Sequence, residues 1–153
     1  MLKAGDASPD FEGEDQDGAP FRLSSLRGRW IILYFYPKDE TLGCTAEACT
    51  FRDHLELLRG LGAEVVGVST QDRESHRQFA AHHRLTFRLI ADPEKTITRR
   101  YGALGFLGYA KRVTYLIDAD GRIRDVHRSE VDPRGHADHV RRKLQELGAT
   151  VRA

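Results

Sequence analysis

Tyr34-Phe35-Tyr36-Pro37-Lys38-Asp39-Glu40-Thr41-Leu42-Gly43-Cys44-Thr45-Ala46-Glu47-Ala48-Cys49 is the stretch on which the fold and the chemistry of this chain both turn. It is entered from Trp30–Tyr36, a continuous apolar run of the kind found in strands buried on both faces. Pro37 ends that strand. From about Cys44 to Gly60 the apolar positions Ala48, Phe51, Leu55 and Leu58 recur at spacings of three and four, which predicts an amphipathic helix. Both cysteines of the chain therefore lie where a strand gives way to a helix. Cys44 falls at the helix start, where unpaired backbone N–H groups and the helix dipole favour a thiolate.

Working outward, Asp15-Gln-Asp-Gly18 reads as a hairpin turn between short strands around Phe11 and Phe21–Leu23. Glu64–Ser69 is a second buried strand. Asp72 caps a helix running to about His83, and a short strand follows at Phe87–Ala91. Asp92-Pro93 is a cap and first-turn pair that opens a helix through Ile97 to Tyr101. Residues 102–111 form a glycine-spaced apolar loop. Val113–Ile117 and Ile123–His127 pair across Asp118-Ala-Asp-Gly121, and Asp132-Pro133 opens a last helix striped by Ala137, Val140, Leu144 and Leu147. The order β-β-β-α-β-α-β-α-β-β-α predicts a three-layer α/β domain with a mixed sheet, parallel at the helical crossovers and antiparallel at the final hairpin.

The bulk properties narrow the function. The chain has 153 residues, enough for one domain over 1–153 with one sizeable core. A net charge of +1 gives no general drive toward nucleic acid or membrane. The start Met1-Leu-Lys-Ala-Gly-Asp lacks the apolar core of a signal peptide, and no apolar run is long enough to span a bilayer. The expectation is a cytoplasmic protein. In a reducing compartment a close cysteine pair points to catalysis or metal binding rather than a permanent staple.

The spacing of the pair carries mechanical information. Five residues along a helix rise about 7.5 Å and turn about 140°, leaving the Cα atoms roughly 8–9 Å apart. A disulfide needs less than about 7 Å. Cys44 and Cys49 can bridge only if the turn between them unwinds. Two unrelated buried thiols remain an alternative at this point; a zinc site lacks further ligands near in sequence. In Pro37-x-x-x-Thr41-x-x-Cys44, Pro37 fixes the strand exit and covers one side of a pocket. The Thr41 hydroxyl can donate to the sulfur or to a bound oxygen, and the amides of Gly43 or Cys44 can point at the same place. A cation is needed to stabilise the thiolate and a departing oxygen. Arg112, just before a core strand, is the first candidate, and Arg52, two turns along the cysteine helix, is the second.

Taken together, these segments resemble a peroxiredoxin of the bacterioferritin-comigratory-protein or Q subfamily. The similarity runs from Leu2 to Leu147 and includes Lys3–Phe11, Tyr34–Asp39, Thr41–Cys49, Phe51-Arg-Asp53, Gly67-Val-Ser69 and Arg112–Asp118 with Asp120-Gly121. The resemblance implies a thioredoxin-like fold with an N-terminal β-hairpin, and an atypical two-cysteine thiol peroxidase. It implies Cys44 as the peroxidatic and Cys49 as the resolving cysteine, joined transiently as an intramolecular disulfide. Thr41 and Arg112 complete a peroxide site that Pro37 shields, and Glu47 hydrogen-bonds the arginine. Hydrogen peroxide and organic hydroperoxides are the implied substrates, and thioredoxin or a similar dithiol the reductant. No cofactor or metal is expected, and a monomer or weak dimer is. Leu42 stands where many relatives carry proline.

Other features have plainer explanations. His82-His83 and His136-x-x-His139 invite a metal site, but adjacent helical histidines diverge by about 100° and the second pair has no third ligand. Solvated surface histidines are the expectation. Arg141-Arg-Lys143 is expected to be a solvated helix face. Phe106, Leu107 and Tyr109 could rim a pocket, form a dimer contact or simply pack the loop. Rival functions are a thiol–disulfide oxidoreductase, opposed by the absence of Cys-x-x-Cys, and a redox sensor or holdase-like module, which needs no peroxide-positioning motif.

Overall fold

The computed structural model describes residues 1–148. Its elements are β1 (Glu12–Glu14), β2 (Pro20–Arg22), β3 (Trp30–Phe35), α1 (Leu42–Gly60), β4 (Ala63–Ser69), α2 (Arg73–His83), β5 (Arg88–Ala91), α3 (Thr96–Arg100), β6 (Val113–Ile117), β7 (Ile123–Arg128) and α4 (Gly135–Glu146). The helix–strand order is the expected one, with a 3₁₀ turn at Leu23–Leu26 in addition. The sheet order is β2-β1-β5-β4-β3-β6-β7. β3, β4 and β5 are parallel, as their connections through α1 and α2 require. The third crossover departs from expectation. α3 leads to a strand on the far side of β3, and β6 pairs with β3 antiparallel, Phe35 opposite Val113. The five-residue α3 and the long 102–111 loop carry the chain across the sheet end and return it in the opposite sense.

The sheet separates two cores. On one face Tyr34, Tyr36, Phe51, Leu55 and Leu58 pack with Val140 and Leu144 of α4. On the other, Phe35, Val66, Val68, Ile90, Tyr101 and Tyr115 lie together. The strand alternation of β3 thus feeds both cores, which is why its sequence is apolar throughout. Gly67 on β4 is required by close approach: a Cβ there would stand 2.9 Å from the Tyr34 ring and from Leu89.

Two helix starts fall later than the Asp-Pro pairs suggest. Lys95 is left-handed (φ 65°) and its N–H closes a turn on the Asp92 carbonyl, so α3 cannot begin before Thr96. Asp92 still serves it from a distance, accepting from the Thr98 amide (2.7 Å) and hydroxyl (2.6 Å). Asp132 likewise accepts from the Gly135 amide (3.2 Å) and α4 starts there. Asp72 caps α2 as expected, accepting from Ser75 N–H at 2.8 Å.

Candidate active site

The antiparallel pairing of β3 and β6 decides what can meet Cys44. The carboxyl end of β3 lies beside the amino end of β6, so the residue just before β6, Arg112, arrives where the chain leaves β3 for α1. Clefts outside strand ends are where α/β sheets bind ligands. Thr41 stands at the N-cap of α1 and Cys44 in its first turn, where the amides of Leu42, Gly43 and Cys44 have no carbonyl one turn back to bond. Cys44 is buried and Cys49 half-buried, and both thiols are free. Both lie within continuous α-helix, the state in which they cannot bridge.

Two donors converge on the Cys44 sulfur. Arg112 Nη2 lies 3.4 Å from Sγ, and the backbone N–H of Lys38 lies 3.4 Å from it. Both are N–H groups donating to the same sulfur atom. The Lys38 amide takes the part expected of Gly43 or Cys44, for which no bond to the sulfur is seen among the described residues. Gly43 matters differently: a Cβ at this position would stand 3.0 Å from Arg112 Nη2 and 3.8 Å from Pro133. The absent side chain is what lets the guanidinium lie against the helix start.

Arg112 is held on three sides. Its Nη1 donates to Glu47 Oε1 at 2.7 Å, its backbone N–H donates to Glu130 at 3.1 Å, and its carbonyl accepts from Ser129 N–H. Burial works against its charge, but Glu47 and Cys44 outweigh that and raise its pKa. Glu47 is wholly buried. Burial pushes its carboxyl up to about 8 against the downward pull of Arg112. Glu47 Oε2 and Arg112 Nε are buried without a hydrogen-bond partner among the described residues, as is the Tyr34 hydroxyl.

Thr41 differs from the sequence expectation. Its hydroxyl donates to the Lys38 carbonyl at 2.8 Å, not to sulfur, which leaves its lone pairs to accept. Arg52 is not at the Cys44 site: it pairs with Asp53 and donates to the His83 carbonyl (2.7 Å), and its electrostatic neighbour is Cys49. Pro37 lines a cavity of about 400 Å³ with Phe106, Leu107, Tyr109 and Ala110. Cys49 opens instead into a separate groove beside Glu40 and His83.

Sequence reasoning missed the support beneath the loop. Asp39 is buried and accepts from Tyr36 Oη (2.6 Å) and Ser75 Oγ (2.8 Å), and His76 Nδ1 lies 2.6 Å from it. This cluster pins the segment whose next-door amide, that of Lys38, faces the sulfur. The expectation of solvated histidines also fails in part. His82 and His83 are paired with Glu40, but His76 and His136 are buried. An aspartate just after a strand-ending proline was the available signal for Asp39; nothing local marked His76 or His136.

The model of the AhpC/TSA family matches residues 4–126, and the chain belongs to that family. Within it the likeness is to the peroxiredoxins of the Q group. The chain is 40% identical to the chloroplastic peroxiredoxin Q of Populus jackii over 95% of its own length and 70% of that protein's. Among solved structures, peroxidoxin BcpB of Mycobacterium tuberculosis superposes with a TM-score of 0.91 at 38% identity, covering 96% of this chain and 99% of that one. The bacterioferritin comigratory protein of Xanthomonas campestris gives 0.84 at 29% identity, covering 90% and 91%. The fold is thioredoxin-like, and the protein is a thiol-dependent peroxidase.

Proposed function

We propose that Cys44 reduces hydrogen peroxide and organic hydroperoxides, and that Cys49 resolves the product as an intramolecular disulfide. The observation that carries this is the pair of donors, Arg112 Nη2 and Lys38 N–H, on the Cys44 sulfur at a helix start. The thiolate attacks the terminal oxygen of the hydroperoxide in line. An S–O bond forms, the O–O bond breaks, and the alkoxide or hydroxide leaves to be protonated to alcohol or water. Thr41, its own hydrogen engaged by Lys38, accepts from the peroxide O–H. Arg112, with Nε unpartnered among the described residues, and the free amides of the first turn take up charge growing on the two oxygens.

The first turn of α1 then unwinds and the Cys49 thiol condenses with the sulfenic acid, releasing water. A dithiol donor, thioredoxin or one like it, restores both thiols by exchange. The cavity beside Pro37, walled by Phe106 and Tyr109, suits the alkyl part of an organic hydroperoxide. The Xanthomonas campestris relative is itself credited with alkyl peroxide reduction activity. We place the reaction in a reducing compartment, the cytoplasm, and assign it to the monomer. No helix among the described residues is long and apolar enough to cross a membrane.

Peroxide consumption with a thioredoxin couple tests the scheme. Cys44→Ser should abolish it. Cys49→Ser should complete one oxidation and then stop cycling. Turnover in Cys44→Ser would overturn the proposal, and insulin reduction without peroxide turnover would favour a thiol–disulfide oxidoreductase.

A further inference from the structure

Behind the Arg112–Glu47 pair lies a buried histidine that the reaction scheme does not use. His136, in the first turn of α4, is fully buried. Its Nε2 stands 3.0 Å from the Ser129 carbonyl, which can only accept, so that nitrogen carries a hydrogen. Its Nδ1 is 2.8 Å from the Thr114 hydroxyl and 3.5 Å from Glu47 Oε2, the buried carboxylate oxygen with no hydrogen-bond partner among the described residues. If neither Nδ1 nor Oε2 bears a proton, the Thr114 hydroxyl can donate to Nδ1, but Oε2 is left a buried anionic oxygen facing a lone pair with no donor of its own among the described residues, an arrangement that strongly disfavours its charge. One proton between them removes the conflict.

The charge count gives that proton a role. With Arg112 positive, Glu47 negative and Cys44 a thiol, the buried cluster is neutral. Ionising Cys44 alone leaves it at minus one. If the proton lost from sulfur is matched by one held between Oε2 and Nδ1, the cluster stays neutral with a thiolate in place.

We propose that Glu47 and His136 hold one shared proton while Cys44 is a thiolate, and that His136 is thereby a positioning residue for the peroxidase reaction. The proposal rests on the reading of Cys44 as the nucleophile. In the net transfer one proton leaves Sγ and one is gained by the pair; no bond to substrate is made by either residue. The other groups facing the pair come from every packed element. They are His127 of β7, edge-on to the His136 ring at 4.6 Å; Tyr34 of β3, whose buried hydroxyl interacts electrostatically with Glu47; Arg112 just before β6 and Thr114 within it; and Asp132 and Glu130 in the loop before α4. His139 stacks on His127 at 4.0 Å and is hydrogen-bonded to Asp125. Burial holds the Glu47 carboxyl up at about 8 and the His136 ring down at about 4, and both directions favour the carboxyl over the ring as the seat of a shared proton.

Two measurements test this. NMR titration of the Glu47 carboxyl carbon and the His136 ring nitrogens should show Glu47 losing its proton at lower pH in Cys44→Ser than in the wild type, because a neutral hydroxyl replaces a thiolate. A shift of at least about one pH unit, tenfold in proton affinity, is expected. Identical titrations in the two proteins would overturn the proposal. In His136→Phe, ionised Glu47 no longer faces a lone pair and protonated Glu47 loses its acceptor. Below the midpoint of the thiolate absorbance titration, the thiolate fraction should fall about tenfold, with the rate of single-turnover peroxide oxidation falling in step. A folded His136→Phe with an unchanged thiolate profile would equally refute it. If His136→Phe does not fold, the comparison of wild type with Cys44→Ser decides alone. Loss of the nucleophile assignment would show separately, as peroxide turnover in Cys44→Ser.

Discussion

Gly43→Ala isolates the contact between Arg112 and the sulfur without touching either residue. The new Cβ would stand 3.0 Å from Nη2 and 3.6 Å from Cζ of Arg112. Nη2 is the atom that reaches Cys44 Sγ at 3.4 Å, while Nη1 is tied to Glu47 at 2.7 Å. The guanidinium must therefore yield by a few tenths of an ångström and pivot about its carboxylate bond, lengthening the contact to sulfur. A hydrogen bond to a charged group is worth about 1.5–3 kcal/mol. Losing about half of it costs about 1 kcal/mol, or roughly fivefold in kcat/KM. Helix stability moves the other way, since alanine is favoured over glycine within a helix by about 0.5–1 kcal/mol. The expected result is a slower peroxidase with an equal or higher melting temperature. Stopped-flow oxidation and thermal unfolding of the same preparation measure both. Unchanged peroxide kinetics in Gly43→Ala would refute the claim that Arg112 acts through this geometry.

Three more outcomes follow from the same contacts. Arg112→Lys offers a point charge where a fork serves both Glu47 and Cys44, so kcat/KM should fall about a hundredfold in the coupled assay. Glu47 binds a proton up to about 8 in the folded protein, against 4.5 ordinarily. Its contribution to stability is thus full below 4.5 and is lost as pH rises toward 8. The urea midpoint of the wild type should decline relative to Glu47→Gln across that window, and parallel curves would contradict the assignment. Asp39→Ala leaves the Tyr36 and Ser75 hydroxyls and His76 without their acceptor; a loss of about 3 kcal/mol in denaturant unfolding is expected.

Much of this was legible because the relevant residues are close in sequence or sit at marked places. Pro37, Thr41 and Cys44 occupy one strand-to-helix junction, and the apolar periods of β3 and α1 define its two sides. Arg112 could be singled out because it precedes a core strand. That it reaches Cys44 depends on β6 running antiparallel to β3, which the helical crossover rule alone does not give. The surroundings of Glu47 were illegible for the same reason. His136 is buried because α4 packs on α1 and β6, and its helical pattern looks like that of any surface histidine. The late start of α3 was hidden in Lys95, whose left-handed backbone no residue preference announces. The Thr41 hydroxyl donates to the Lys38 carbonyl, a backbone group with no signature in sequence.

The central claim is that Cys44 and Cys49 form one redox unit whose closure requires the first turn of α1 to melt. Intact mass of the reduced protein before and after one equivalent of hydrogen peroxide tests it directly. A loss of two hydrogens is expected in the wild type and none in Cys44→Ser, while Cys49→Ser should gain one oxygen. Two-hydrogen loss that survives either substitution, or an oxygen adduct that persists on wild-type Cys44 with Cys49 still reduced, would contradict it.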